Sequence, residues 1–194
     1  MILALLFAAA IPAPDLSGVL ALMGHDPKTH GIVLAQACPI ASALALTNRH
    51  VSTAAYYVWS AENSDGLLID GPAEVYRDLA LVMPERGSFP SWYPIVAAAP
   101  EVGDRLYFVG WDFRKRRDAF ARRVFDDSRV VRVVNRHVVM YPPGVPGTSG
   151  SCVLNERGEV VGINKSGKDL DDGNTVGVAV GVWPPLLELR RSVQ

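Results

Sequence analysis

Short apolar runs separated by turn residues fill most of this chain, and this pattern constrains the fold more than any other feature. Many of the runs are rich in Val, Ile, Tyr and Phe and are bounded by Gly, Asp, Asn or Pro. Such a series predicts β-strands arranged in an all-β barrel or sandwich. The runs are residues 18–23, 31–36, 43–47, 56–59, 66–69, 79–83, 105–110, 119–125, 129–134, 137–140, 151–154, 160–164 and 176–182.

The series divides into two halves. Residues 84–102 contain Pro90, Pro94 and Pro100 and lack the strand pattern, so they predict a connection between the halves. Within the second half, residues 156–159 predict a hairpin turn. A helix is expected only at about 185–193, where prolines stand at the start, as helix geometry prefers.

Length and charge limit the class of protein. With 194 residues, 49% of them hydrophobic, the chain buries a full core as one domain or two small subdomains. Its net charge of -1 gives no overall attraction to nucleic acid or acidic lipid. Arginines are nevertheless concentrated in residues 114–136. The favoured interpretation is a solvated hairpin, and the alternative is a basic exosite for acidic partners.

Two cysteines, Cys38 and Cys152, allow one intramolecular pairing. Both lie in apolar runs, where two free core thiols are the simpler interpretation. A disulfide requires that their Cα atoms lie within about 7 Å. No C-x-x-C motif or His/Cys cluster indicates a metal, so neither a metal nor a cofactor is expected.

The N-terminus has two interpretations. Residues 1–10 are apolar but too short to span a bilayer, so stable membrane insertion is not expected. They resemble the core of an export signal with small residues at 8–10, although no Lys or Arg precedes them. Residues 1–13 are therefore either a signal, with a periplasmic or secreted protein, or a retained segment, with a cytoplasmic one.

Three segments together indicate a hydrolase. Ser149 lies in the sequence GTSGS, His50 follows shortly after the apolar run at 43–47, and Asp78 directly precedes the run at 79–83. A serine hydroxyl is a poor nucleophile that needs an adjacent base, and the base needs a group that orients it. Each fragment alone is common in ordinary loops and strand ends. Their joint occurrence in the order His, Asp, Ser indicates a catalytic triad.

The segments at 46–51 (LTNRHV), 78–82 (DLALV) and 147–164 (GTSGSCVLNERGEVVGIN) resemble the trypsin/chymotrypsin superfamily, and most closely its HtrA/Deg-type bacterial branch. The resemblance covers about residues 17–192 and includes no PDZ-type module. It implies two six-stranded antiparallel β-barrels, at about 17–90 and about 100–183, within a protease domain of residues 14–194 that ends in a short helix.

The resemblance also implies the chemistry, that of a serine endopeptidase with a polypeptide substrate. Ser149 would attack the peptide carbonyl, His50 would accept its proton, and Asp78 would orient His50. The N–H groups of Gly147 and Ser149 would form the oxyanion hole. Zymogen-type trypsins carry an Asp at the position of Thr148, so activation by a new N-terminal amine is not expected here.

Specificity follows less directly from the resemblance. Nothing in the sequence matches the buried carboxylate of trypsins, and Val178 stands where glutamyl endopeptidases usually carry His, so small or medium apolar residues are expected before the cut. Lys165 replaces a small residue of the family and either disturbs Asp78 or points outward. The implied substrate-binding residues are Pro143, Gly144, Asn164 and Val178 around the pocket, and Lys165, Ser166 and Gly167 along a strand edge.

Three alternatives remain open at this point. One is a viral or phage protease of the same fold that processes its own precursor. The second is a catalytically inactive binding module with a protease-like fold. The third is nucleic-acid binding through the arginine-rich segment, which lacks interleaved stacking aromatics, so no nucleic acid is expected as a partner. The sequence does not indicate the oligomeric state.

Overall fold

The computed structural model describes residues 12–25, 31–52, 57–60, 63–76, 78–84, 87–112 and 121–183. Twelve strands and one short helix occupy this part of the chain, and the all-β prediction is confirmed. The elements are β1 (Leu20–His25), β2 (Ile32–Ala41), β3 (Leu44–Asn48), α1 (Arg49–Ser52), β4 (Tyr57–Ser60), β5 (Asn63–Tyr76), β6 (Leu79–Pro84), β7 (Arg105–Asp112), β8 (Ala121–Val134), β9 (His137–Tyr141), β10 (Cys152–Leu154), β11 (Val160–Asp169) and β12 (Thr175–Gly181).

The strands close into two antiparallel barrels. The first has the order β1-β2-β3-β6-β5-β4 and the second the order β10-β11-β12-β9-β8-β7. Residues 87–104 connect them without a strand of their own, apart from a parallel bridge between Ile95 and Val160. The helix expected at about 185–193 and the N-terminal segment 1–11 lie outside the described residues.

One strand differs from the sequence prediction. The runs at 119–125 and 129–134 predict two strands, whereas β8 continues through the polar residues between them. β8 pairs with β7 on both sides of this polar stretch, and the register shifts between Leu106 and Phe108. A bulge of this kind bends a strand without ending it, so one long strand serves where the sequence suggests a turn.

Three apolar clusters fill the molecule. One lies in the first barrel around Leu20 and Leu22, and one in the second around Phe108 and Phe125, whose rings stack at 4.9 Å. The third combines residues of both barrels, including Leu46 of β3. Each fully buried side chain of the size of Leu or Phe contributes about 1.5–3 kcal/mol to the free energy of folding. The mixed cluster therefore fixes the two barrels against each other.

No helix in the described ranges is long and apolar enough to cross a membrane.

Candidate active site

His50 and Asp78 meet because neighbouring strands end together. β3 pairs with β6 in the register Asn48↔Leu79, so the residues that follow β3 lie beside the residue that precedes β6. The His50 Nδ1 atom lies 3.0 Å from Asp78 Oδ2, and the His50 N–H donates to Asp78 Oδ1 at 3.4 Å. The Arg49 N–H also donates to the Asp78 carbonyl at 3.0 Å. Side chain and main chain of Asp78 therefore both hold the turn that carries His50.

A lysine shares the same carboxylate. Lys165 Nζ lies 3.6 Å from Asp78 Oδ2, the oxygen that contacts His50. The Lys165 side chain is 36% exposed and that of Asp78 is 16% exposed. The ammonium group therefore reaches the aspartate while it remains partly in solvent.

Ser149 follows a tight turn at residues 145–148. The Thr148 N–H donates to the Val145 carbonyl at 3.1 Å, and Gly147 has a φ of 86°. Pro followed by a residue of positive φ in the two central positions is typical of a type II turn, and the positive φ explains the glycine. Among the described residues, the N–H groups of Gly147 and Ser149 have no acceptor, so both are available to a ligand.

A buried polar cluster fixes this turn from behind. Thr148 is only 4% exposed, and its hydroxyl donates to the Val145 carbonyl at 2.6 Å. The Asn164 amide donates to Thr148 Oγ1 at 2.7 Å and to the Thr148 carbonyl at 3.1 Å. Gly144 leaves room for the hydroxyl, since a Cβ there would lie 2.5 Å from it. Asn164, expected to line the pocket, is instead buried and supports the loop.

Gln36 of the first barrel holds the loop from the other side. Its N–H donates to the Ser149 carbonyl at 2.8 Å, and its side-chain amide donates to the Gly147 carbonyl at 3.3 Å. Arg122 Nη2 donates to Gln36 Oε1 at 3.3 Å and to the Val19 carbonyl at 2.5 Å. Burial lowers the pKa of the Arg122 guanidinium from its ordinary value. The serine loop is thus tied to both barrels.

His50 and Ser149 line one cavity of about 570 Å³. The Ser149 hydroxyl donates to the Lys165 carbonyl at 3.1 Å. The second barrel supplies the remaining lining residues, which are Gly144, Val145, Pro146, Thr148, Lys165, Gly167, Asp169 and Thr175. A serine hydroxyl and a histidine whose Nδ1 contacts a carboxylate thus line one space, an arrangement that could support acyl transfer.

The sequence profile of the trypsin-like peptidase domain matches residues 29–163, about two thirds of the chain. The chain belongs to the trypsin-like peptidase domain family. The expected resemblance to the trypsin superfamily is therefore confirmed. This trypsin-like peptidase is a serine endopeptidase. No curated protein sequence matches it at a significant level.

Solved structures with the same fold include three proteases. The Rv3671c protease from M. tuberculosis in its active form superimposes with a TM-score of 0.69 at 13% identity, covering 88% of this chain and 83% of that one. The serine endoprotease from Yersinia pestis superimposes with a TM-score of 0.68 at 19% identity, covering 90% of this chain and 61% of that one. A Glu endopeptidase in complex with MPD superimposes with a TM-score of 0.73 at 12% identity, and the match covers 96% of this chain and 94% of that one. At these identities the likeness concerns the fold alone.

The two cysteines of this trypsin-like peptidase form a disulfide, with Cα atoms 4.8 Å apart. The interpretation of two free thiols is therefore wrong. β2 carries Cys38 and β10 carries Cys152, so the bond joins the first barrel to the second through the mixed apolar cluster. The sequence placed both residues in the core but gave no distance between them.

The implied substrate-binding residues separate into two groups. Gly144, Lys165 and Gly167 line the cavity. Val178 is half-buried in β12 and pairs with Ser166, and Pro143 lies close to Gly177. Asp169 and Thr175 also line the cavity but were not predicted from the sequence. Asp169 stands two residues beyond Gly167 on the same strand, so the alternation of strand side chains could have indicated it.

Within the described segments, no group of three or more His, Cys, Asp and Glu side chains is placed to hold a metal ion.

Proposed function

We propose that this serine endopeptidase cleaves peptide bonds through an acyl-enzyme on Ser149, with His50 as general base and Asp78 as its orienting carboxylate. The supporting observation is the 3.0 Å contact between His50 Nδ1 and Asp78 Oδ2, beside a cavity that His50 shares with Ser149. A carboxylate at Nδ1 holds the tautomer whose Nε2 accepts the serine proton. Rotation of the Ser149 hydroxyl away from the Lys165 carbonyl would bring that proton toward His50.

The oxyanion hole in this proposal consists of the Gly147 and Ser149 N–H groups. Both follow the turn that Thr148, Asn164 and Gln36 hold in place. Donors that are fixed before the reaction stabilise the developing negative charge without reorganisation, and one such donor contributes about 3 kcal/mol to lowering the barrier.

The proposed residue before the cut is small or medium and apolar. The cavity lining includes Gly144, Val145 and Pro146, which offer apolar surface and carry no charge. A compact aliphatic side chain would bury this surface, whereas a charged one would lose hydration without a partner.

Labelling with a fluorophosphonate probe tests the proposed nucleophile. The native chain should react and Ser149→Ala should not. Ser151→Ala is the matched control, because Ser151 lies in the same motif but its hydroxyl accepts from the Val109 N–H inside the core. Thermal unfolding should confirm that all three proteins are folded. A folded native chain that fails to react would refute the triad and favour the inactive binding module.

A further inference from the structure

Beyond the serine, the cavity follows one side of β11. Lys165, Gly167 and Asp169 are alternate residues of that strand, and all three line the cavity. With a rise of about 3.3 Å per residue, the four steps from Lys165 to Asp169 span roughly 13 Å. The cavity therefore has one end at Ser149 and Lys165 and another at Asp169.

Among the described residues, the strand edge along this cavity carries no partner strand. β10 pairs with β11 only as far as Ile163, while β12 occupies the opposite edge as far as Asp169. Gly167 is exposed and has no side chain to obstruct an incoming backbone. The Asn164 N–H and carbonyl are bonded to Ser151 and Gly150, so an extended peptide has room to add as a further strand from Lys165 onward.

Asp169 is oriented for a charged ligand. The Thr175 hydroxyl donates to Asp169 Oδ1 at 2.7 Å and fixes the carboxylate from the facing position of β12. Within the described part of the chain, Oδ2 of Asp169 has no cation beside it, and the residue is exposed. A carboxylate held in this way, on the wall of a substrate cavity, suits the side chain of a lysine or arginine.

The direction of the peptide follows from strand pairing. Antiparallel pairing is the more stable arrangement, and it makes the substrate run from the Asp169 end toward Ser149. Ser149 contacts the Lys165 carbonyl, so the residue at the cut lies opposite Lys165. The side chain that reaches Asp169 therefore belongs to a residue four positions further upstream, the fifth before the cut.

We propose that Asp169 selects substrates with a basic side chain at the fifth residue before the scissile bond. This specificity rests on the proposed function, because it places the cut at Ser149. The substrate class is therefore a peptide with a small apolar residue at the cut and a Lys or Arg upstream of it.

The test uses internally quenched peptides that differ only at the fifth residue before the cut, which is Arg, Ala or Glu. The native enzyme should cleave the Arg peptide with a kcat/KM about fivefold above the Ala peptide, the upper range for an exposed ion pair, and the advantage should shrink as salt is added. Asp169→Asn should remove the preference. Asp127→Asn, an equal loss of charge at an exposed residue of β8, should retain it.

The outcomes distinguish this inference from the proposed function. Equal cleavage of the three peptides by an enzyme that reacts with the fluorophosphonate would overturn the role of Asp169 and leave the triad intact. A preference for Arg that survives in Asp169→Asn would also overturn it. An enzyme that neither reacts nor cleaves would instead refute the triad.

Discussion

The two sides of the catalytic cleft are held by different kinds of contact. On the serine side, the hydrogen bonds of Thr148, Asn164 and Gln36 within the loop join neutral groups, and all three residues are buried. On the histidine side, the Asp78 carboxylate contacts both His50 and the Lys165 ammonium, and the His50 side chain is 48% exposed. Neutral buried bonds are costly to break because the groups left behind cannot reach water, whereas exposed ionic contacts are screened by solvent.

In the proposed mechanism, this difference assigns separate tasks to the two sides. The serine loop must hold two N–H groups in one geometry before substrate arrives, which demands rigidity. The histidine must receive and return a proton, which requires a charged partner and some access to solvent. We therefore expect substitutions on the serine side to cost stability, and those on the histidine side to cost rate.

The largest effect is expected for Asp78→Asn. Loss of the carboxylate removes the group that orients His50 and stabilises its protonated form, so kcat should fall about 10⁴-fold. The melting temperature should change little, because the contact is partly exposed. Stopped assays and thermal unfolding on the same preparation measure both quantities. A loss of rate below tenfold would contradict the role given to Asp78.

Gly150→Ala should be the most destabilising change on the serine side. Gly150 has a φ of 85°, and a Cβ there would overlap the Gln36 carbonyl oxygen. We expect a loss of at least about 3 kcal/mol in the free energy of unfolding, measured with denaturant.

Gly173→Ala is the matched control for that change. Gly173 has a φ of 82°, but a Cβ there would meet nothing within 4 Å. Only the backbone cost of about 1 kcal/mol should remain. Equal losses in the two variants would show that the contact with Gln36 contributes nothing.

Thr148→Val should have an intermediate effect on stability and on fluorophosphonate labelling. Valine keeps the shape but loses the hydroxyl that joins the Val145 carbonyl to the Asn164 amide. We expect a loss of about 1–3 kcal/mol in stability, with a fall of about 10²-fold in fluorophosphonate labelling as the turn loosens. Unchanged labelling would mean that the turn does not depend on this hydroxyl.

The smallest effect is expected for Lys165→Met. The ammonium group competes with His50 for Asp78 Oδ2, so its removal should raise kcat/KM about twofold to fivefold at low salt. Lys165→Arg, which keeps the charge, should show no such gain. A rise that persists unchanged in high salt would argue against a charge effect.

Much of the framework was predictable from local signals in the sequence. Strand composition and turn residues predicted the all-β class. The order His50, Asp78, Ser149 pointed to three residues, of which His50 and Ser149 line one cavity and Asp78 contacts His50. Short-range patterns suffice for these features because strand alternation and turn geometry depend on neighbouring residues.

The contacts that support the site were not predictable in this way. Gln36 reaches the serine loop from the opposite barrel across 111 residues of sequence, and Arg122 of β8 supports the Gln36 side chain; neither residue carries a motif. Asn164 was expected to face the substrate, yet its amide turns to Thr148. The pairing of Cys38 with Cys152 depends on a distance that only the folded chain supplies.

The disulfide has a further consequence when one copy of the protease cleaves another. Cys38 precedes His50 and Asp78, and Cys152 follows Ser149, so one covalent ring of the chain contains all three residues. A single cut anywhere inside that ring opens it but releases no fragment, because the bridge still joins the two pieces. Self-digestion within this stretch would leave a nicked enzyme of undiminished size, which separates into two bands only after reduction.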